Sequence, residues 1–376
     1  MDVKDGKSRT IAGEAFIPDI LPPSLELTPL VGRLFPILDR AKTNLLRLEA
    51  AVESLPEPKV LLAAMRNREA QSSSKIENTF ASLKEVALAA VSAQSAREPA
   101  LEVYRNRQAI ESGLNSRWPI GKALLCEMHR VLITDPRKRP GQLRNVQVCI
   151  GDDHHGFEHA RFVPPPASHV EECFRGWEEY VRSAAELRDW PYFASLALSH
   201  YQFETIHPFS DGNGRLGRAI VNLSPVKDGV LKYPVCNLSE WVHEHRQEYY
   251  DRLLRVSTHG DWEGWIFFFC TALAEQASSD LQRAERVRKL YKKYQSLVAD
   301  QRKNGLLLRL IDLLFSDFAV STTDAAKRLG ITYTTAQKYV EYFVKEGVLV
   351  QAEPGNYAKV YVAMEVLRTI RGQGEE

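Results

Sequence analysis

Apolar residues recur along most of this chain at intervals of three and four, the spacing of a helix with one buried face. In "LDRAKTNLLRLEAAVESL" they fall at Leu38, Leu45, Leu48, Val52 and Leu55, and "VLLAAMRNREAQ" and "FASLKEVALAAVSA" continue in the same style. Two more amphipathic stretches between 101 and 133 break near Trp118 and Pro119. Helices are predicted again at "ASHVEECFRGWEEYVRS", "PYFASLALSHYQFETI", "LSEWVHEHRQEYYDRLLRV" and "WEGWIFFFCTALAEQA". Elsewhere the pattern changes. Residues 9–36 mix proline with aliphatics ("FIPDILPPSLELTPL"), which favours an extended strap. Between 140 and 166, "NVQVCIG" alternates with period two, "DDHHGFEH" is polar and "ARFVPPP" returns extended, which predicts a short β-hairpin. Residues 278–303 are highly charged at helical spacing and read as a solvated connecting helix. Beyond them, "LLLRLIDLLF", "STTDAAKRLGI" and "TYTTAQKYVEYFVKEG" predict three helices, and "VLVQAEPGNYAKVYVA" two short strands around a turn. That is the winged helix-turn-helix pattern, with Thr332 to Glu346 in the recognition-helix slot.

A length of 376 residues predicts two or three domains, and 44% hydrophobic with 26% charged residues describes a soluble globular chain. The net charge of +1 gives no general attraction to nucleic acid or to a membrane. The start, "MDVKDGKSRT", lacks the apolar region of a secretory signal, so a cytoplasmic protein is expected. Five scattered cysteines without a CxxC pair read as reduced packing residues. Residues 304–376 hold eight basic against nine acidic side chains, a net charge of −1 and a poor start for binding DNA phosphates. Thr, Gln and Lys in the recognition slot keep DNA as an alternative partner; docking on the rest of the chain, on a target protein or on a second copy in a homodimer is favoured over it.

Chemistry concentrates in "ETIHPFSDGNGRLGRAI", Glu204 to Ile220. The loop from His207 to Gly214 joins two predicted helices and ends at a helix N-terminus, where unpaired amides and the macrodipole favour an anion. Gly212 and Gly214 permit positive φ, so successive amides can form a phosphate nest. Arg215 and Arg218 lie three apart on the new helix and project from one face. Asp211 is a hard oxygen ligand suited to Mg²⁺ carried on phosphates. His207 suits a general base. Together these are the parts of a nucleotide transferase.

The segment resembles the signature of the Fic family at every fixed position: His207, Phe209, Asp211, Gly212, Asn213, Gly214, Arg215 and Arg218. The resemblance implies transfer of AMP from ATP to a Ser, Thr or Tyr hydroxyl of a target protein. His207 would then take the hydroxyl proton, Phe209 anchor the loop and Asp211 hold Mg²⁺. The stretch from Gly212 through Asn213, Gly214, Arg215, Leu216 and Gly217 to Arg218 would bind the phosphates. "GQLRNVQVCIG" and "ARFVPPP" are similar to the family's flap, on which an extended target segment docks by strand addition. "LSEWVHEHRQEYYDRLLRVSTHGDWEGW" is similar to the segment after the signature, with Tyr250 a wall of the adenine pocket and a core aromatic as the alternative. Pro225 departs from the family pattern and predicts that the post-signature helix ends early or kinks. Relatives of this architecture also transfer phosphocholine, UMP or phosphate, and some remove AMP.

"SSSKIENTFASLKE" resembles the family's inhibitory motif through Ser73, Glu77 and Asn78, with a solvated helix face or a capping arrangement as alternatives. The resemblance implies that Glu77 pairs with Arg218 and spoils the pose of bound ATP. One such pair supplies about 4 kcal/mol of Coulomb energy before desolvation. Holding the competent state near one per cent takes about 2.7 kcal/mol. His154, His155 and His159 with Asp152 and Asp153 read as a polar hairpin tip rather than a zinc site. His200 reads as a packing residue. The expected architecture is mostly α, a Fic-type helical core with a short β-hairpin flap plus a C-terminal winged helix-turn-helix domain. Its divisions are an N-terminal helical region at 1–115, a catalytic core at 116–277, a connecting helix at 278–303 and the winged helix at 304–376.

Overall fold

A computed structural model describes residues 15–55, 57–151, 159–184, 190–301, 304–352 and 359–371. It contains α1 (Leu27–Glu53), α2 (Pro58–Ile76), α3 (Leu83–Val91), α4 (Glu98–Asn115), α5 (Lys122–Leu132), α6 (Val170–Ala184), α7 (Tyr192–Ile206) and α8 (Asn213–Lys227). Then follow α9 (Ser239–Glu244), α10 (Arg246–His259), α11 (Trp262–Val298), α12 (Asn304–Asp317), β1 (Ala319–Ser321), α13 (Thr322–Leu329), α14 (Tyr333–Lys345), β2 (Val350–Gln351), β3 (Val360–Val362) and α15 (Met364–Arg371). The chain divides into two compact units, Met1–Leu46 with Gln108–Ala277 and Arg47–Arg107 with Ser278–Glu376.

The first unit is built around α7, which packs against α6 and α8. Nearly every residue of α7 from Phe193 to Ile206 is buried, so it behaves as a core helix rather than an amphipathic one. Trp177 and Trp265 close over it, their indole N–H groups donating to the carbonyls of Ser199 at 3.0 Å and Ala197 at 2.8 Å. The α7 and α8 backbones approach closely because position 217 is glycine: a Cβ there would sit 2.1 Å from Glu204 Oε1 and 3.1 Å from the Phe203 ring.

Two expectations change in this unit. The proline-rich strap gives way to α1 at Leu27, and Pro36 lies inside that helix. The helix carries on because its apolar face, including Leu34, Leu38, Ala41 and Leu45, is buried, which offsets the missing donor. The predicted hairpin is narrower than its alternating pattern suggests. Among the described residues it is one antiparallel bridge, Ile150 N–H donating to Phe162 at 2.8 Å and Phe162 N–H returning at 3.1 Å. The polar tip with Asp152, Asp153, His154 and His155 falls outside the described residues. Pro225 sits in the last turn of α8, which ends two residues later at Lys227.

In the second unit α2 packs against α12, and α3 against β1 and β3. Local signals start these helices: Pro58 at the first turn of α2, and a reciprocal capping box between Ser82 and Glu85 at α3. The strands form an antiparallel sheet in the order β1, β3, β2, pairing Ala319 with Val362 and Val350 with Val362. Neither β1 nor α15 was expected. The charged stretch after 278 continues α11 without a break and is not wholly solvated: Val287, Leu290, Tyr291 and Tyr294 are buried, and both tyrosine rings pack on Phe315. Among the described residues no helix is long and apolar enough to cross a membrane.

Candidate active site

The signature loop runs from the C-terminus of α7 to the N-terminus of α8. α7 ends because His207 takes the left-handed conformation, φ 49°, with its N–H on the Phe203 carbonyl. That conformation is strained for a non-glycine residue, by about 1–3 kcal/mol, so the surroundings must hold it. Arg144 does so. Buried to 3% exposure, its guanidinium donates to the carbonyls of His207 at 2.8 Å, Ile206 at 3.3 Å, Pro165 at 2.7 Å and Val146 at 3.0 Å. Its backbone N–H adds a bond to Pro208 at 2.9 Å. Burial pulls the Arg144 pKa down to about 10, which leaves it charged at neutral pH. One side chain thus caps α7 and ties it to both segments that lead to the Ile150–Phe162 bridge.

His207 Nδ1 lies 3.3 Å from the Glu204 carbonyl, which can only accept. The proton therefore sits on Nδ1, and Nε2 is the nitrogen that can take another.

The other half of the loop is fixed by Asn213, whose side chain accepts the Phe209 N–H and donates to the Phe209 carbonyl, each at 2.8 Å. Phe209 is fully buried and stacks on His129 at 4.2 Å. Asn213 was expected to cradle phosphate; its side-chain amide is spent on the loop, and only its backbone faces that task. Gly212 has φ +79°, and a Cβ there would meet Leu132 at 3.0 Å. Gly214 was expected to share that freedom, but it lies within the first turn of α8. The candidate anion site is therefore the orphan amides of a helix N-terminus entered through one left-handed glycine, not a nest of two. Leu216 and Gly217 lie deeper in α8, where Leu216 is buried and Gly217 is packed on α7.

Asp211 Oδ1 accepts the Gly212 N–H at 2.6 Å and an Arg215 N–H at 3.3 Å, while Oδ2 pairs with Lys138. Burial alone would raise its pKa, but the Lys138 hydrogen bond and the Arg215 charge hold it below the ordinary carboxylate value. Arg215 and Arg218 are both buried, at 5% and 1% exposure. His200 is a core residue, as expected: Nδ1–H donates to the Gly217 carbonyl at 3.2 Å, and the Tyr249 hydroxyl donates to Nε2 at 2.9 Å. Burial lowers its pKa to about 3. Tyr250 is half-buried on α10, with the guanidiniums of Arg161 and Arg246 each 5.7 Å from its ring centre. Arg161, next to the Ile150–Phe162 bridge, also pairs with Asp251 at 2.5 Å.

His129, Lys138 and Arg144 had no assigned role on the sequence. Nothing local marks them: His129 sits in an ordinary amphipathic helix, and all three reach the loop from more than sixty positions upstream. In the second unit, Ser73 is buried in the last turns of α2, Glu77 is that helix's C-cap and Asn78 follows with φ 59°. An N-terminal capping role for the motif is thereby excluded. Ser74 and Asn106 hold this end: Ser74 Oγ donates to Ala70 at 2.9 Å, and Asn106 Nδ2 to Ala70 at 3.1 Å.

The Fic/DOC family model matches residues 119–224, and the Fic/DOC family N-terminal model matches residues 35–115. Among curated relatives, the protein adenylyltransferase Fic of Culex quinquefasciatus is 33% identical over 151 residues, 39% of this chain and 27% of that protein. The protein adenylyltransferase fic-1 of Caenorhabditis elegans is 29% identical over 161 residues, 42% of this chain and 27% of that protein. The chain thus matches only 27% of the length of these relatives. The crystal structure of a Fic family protein from Desulfovibrio desulfuricans G20 shares the fold, with a TM-score of 0.53 and 19% identity over 94% of this chain and 100% of that one.

Proposed function

As a Fic/DOC-domain protein with the family's N-terminal region ahead of the domain, this chain, we propose, transfers AMP from ATP to a hydroxyl side chain of a target protein. The observation that carries the reading is the junction of loop and helix. The first turn of α8, entered through left-handed Gly212, sets orphan amides beside the Asp211 carboxylate and Arg215, with His207 at the loop's other end. In the step itself the target oxygen attacks the α-phosphorus while His207 takes the hydroxyl proton on Nε2. The bond from that phosphorus to the bridging oxygen breaks, and pyrophosphate leaves. The amides of Asn213 to Arg215 and the guanidiniums of Arg215 and Arg218 stabilise charge on the phosphates.

Among the described residues no three His, Cys, Asp or Glu side chains cluster into a metal cage. A magnesium ion held by phosphates and water needs only one or two carboxylates, and Asp211, partly exposed, meets that requirement. Asp211 would hold the ion, which would neutralise phosphate charge.

Tyr250 forms a wall for the adenine, and the flap receives the target segment. Glu77, at the end of α2, acts as the brake on Arg218. Residues 304–376 form a winged helix, a reading supported by the order helix, strand, helix, helix, strand, strand and by the strand order β1, β3, β2. The whole acts in the cytoplasm.

The test is incubation of the full chain with ATP labelled at the α-phosphate, alone and with a cell lysate. Weak labelling by the parent, strong labelling by Glu77→Gly and none by Glu77→Gly with His207→Ala is the expected result. A Glu77→Gly protein that labels nothing overturns the proposal, and label from the γ-phosphate instead would make it a kinase.

A further inference from the structure

We infer that Lys138 is a phosphate contact for the donor nucleotide, parked on Asp211 until a divalent cation takes that carboxylate. The inference rests on the nucleotide-transfer reading above. In the basic run "PRKR", Pro136–Lys138 form a short 3-10 turn whose start is capped by Asp135 and whose C-cap is Arg139. Its cations are divided among different partners. Arg137, 90% exposed, pairs with Asp135 at 2.8 Å, and Arg139 donates to Gln142 at 2.9 Å. Lys138 turns to the signature loop and pairs with Asp211 Oδ2.

The division of labour on Asp211 gives the pair its meaning. Oδ1 is committed to the Gly212 N–H and to Arg215, and the backbone carbonyl to His129. Oδ2 is thus the oxygen a hard cation would use, and an ammonium and a doubly charged ion repel each other on one oxygen. The Lys138 side chain is 47% exposed and flexible, so it is the partner that moves.

Its destination follows from the geometry of coordination. A divalent cation held by Oδ2 would be shared with phosphate oxygens, so phosphate would lie within reach of the ammonium that leaves Oδ2. The ammonium exchanges one anion for another without rebuilding the turn that carries it. An arginine could make the same exchange; an uncharged side chain could not.

Equilibrium titration of the full chain with ATP, with Mg²⁺ or with excess EDTA, separates the outcomes. Lys138→Met is expected to weaken binding of Mg-ATP by roughly two- to fivefold, the scale of one exposed ion pair. Lys138→Arg should keep parental affinity, and added salt should narrow the difference. Mn²⁺ alone, followed by its electron paramagnetic signal, should bind Lys138→Met more tightly than the parent, because the competing ammonium is gone. Equal Mg-ATP affinity in Lys138→Met and the parent overturns the inference and leaves the transferase reading standing. A parent protein that binds ATP in neither condition overturns both.

Discussion

His129 holds Asp211 by its backbone: the ring Nε2–H donates to the Asp211 carbonyl at 3.1 Å, while Nδ1 accepts the Gly141 N–H at 2.7 Å. Both ring nitrogens are spoken for only in the neutral tautomer, and burial lowers the His129 pKa to about 4. The unfolded chain takes up this proton near pH 6.5 and the folded chain does not. The contribution is therefore complete above about pH 6.5 and is lost as pH falls toward 4, about 3 kcal/mol at about 1.4 per unit. A His129→Gln protein should be less stable than the parent at pH 7, and the gap between their urea midpoints should shrink as the pH drops to 4. A gap that stays constant would contradict the neutral assignment.

Gly212 is required twice, by its φ of +79° and by Leu132, 3.0 Å from where a Cβ would stand. Gly212→Ala should cost about 1–2 kcal/mol from the left-handed backbone alone, and more from the contact. Melting temperature and nucleotide affinity should fall together in Gly212→Ala. Gly212→Asn should lose less of its backbone term, since asparagine tolerates that region.

How much of this could be read from the chain follows from how far each interaction reaches along it. His207, Asp211, Gly212, Arg215 and Arg218 fall within twelve consecutive residues, so their chemistry and their junction between two helices are visible together. The clamp made by Arg144, the ring of His129 and the pair from Lys138 come from distant segments, and no local pattern announces them. The Phe209 partner of the Asn213 side chain and the helical place of Gly214 were not legible, because both depend on where α8 begins. Pro36 misled in the same way, since burial of a helix face outweighed the local preference of proline. The charge of residues 278–303 masked a stripe of buried Val287, Leu290, Tyr291 and Tyr294.

Arg144 bonds four carbonyls, two of them in the strained end of α7 that presents His207. Lysine has no planar fork and can satisfy only some of them. In Arg144→Lys, each carbonyl left buried without a donor should cost about 1–3 kcal/mol, visible as a lower melting temperature. If the proposed AMP transfer is the reaction, loss of the His207 backbone tether should lower kcat more than it raises KM. A variant with parental kcat would show that the clamp serves only the segments around Val146 and Pro165.

Asn106 holds the end of α2 from which Glu77 projects, donating to the Ala70 carbonyl at 3.1 Å and to Ser74 Oγ at 3.4 Å. If Glu77 is the brake, Asn106→Ala should loosen it without touching the carboxylate. A competent state held near one per cent leaves room for about a hundredfold rise in activity on full release. Glu77→Gly should approach that limit and Asn106→Ala should lie between it and the parent. Labelling by Asn106→Ala at the parental level would place the control of Glu77 elsewhere.

Asp317 closes α12 between two arginines, Arg107 at 2.6 Å and Arg328 at 2.6 Å, and all but a tenth of its side chain is buried. Burial by itself would raise its pKa, but the charges of Arg107 and Arg328 hold it below the ordinary value. The sign follows: stability from this group is full above the unfolded pKa near 4 and is lost as acid protonates it. Arg107 also donates to Asn67 Oδ1 at 3.2 Å, and Asn67 to the Ser316 carbonyl at 2.8 Å, so the carboxylate anchors α2 as well as α13. Removing it leaves the Arg107 guanidinium, 14% exposed, without its carboxylate, while Arg328, 37% exposed, keeps Asp324 at 3.6 Å. Asp317→Ala should therefore destabilise the second unit by about 3–5 kcal/mol, the cost of a buried charge without its partner. Hydrogen exchange should rise in α2, α12 and α13 together; a rise confined to α13 would mean that Arg328 alone depends on this carboxylate.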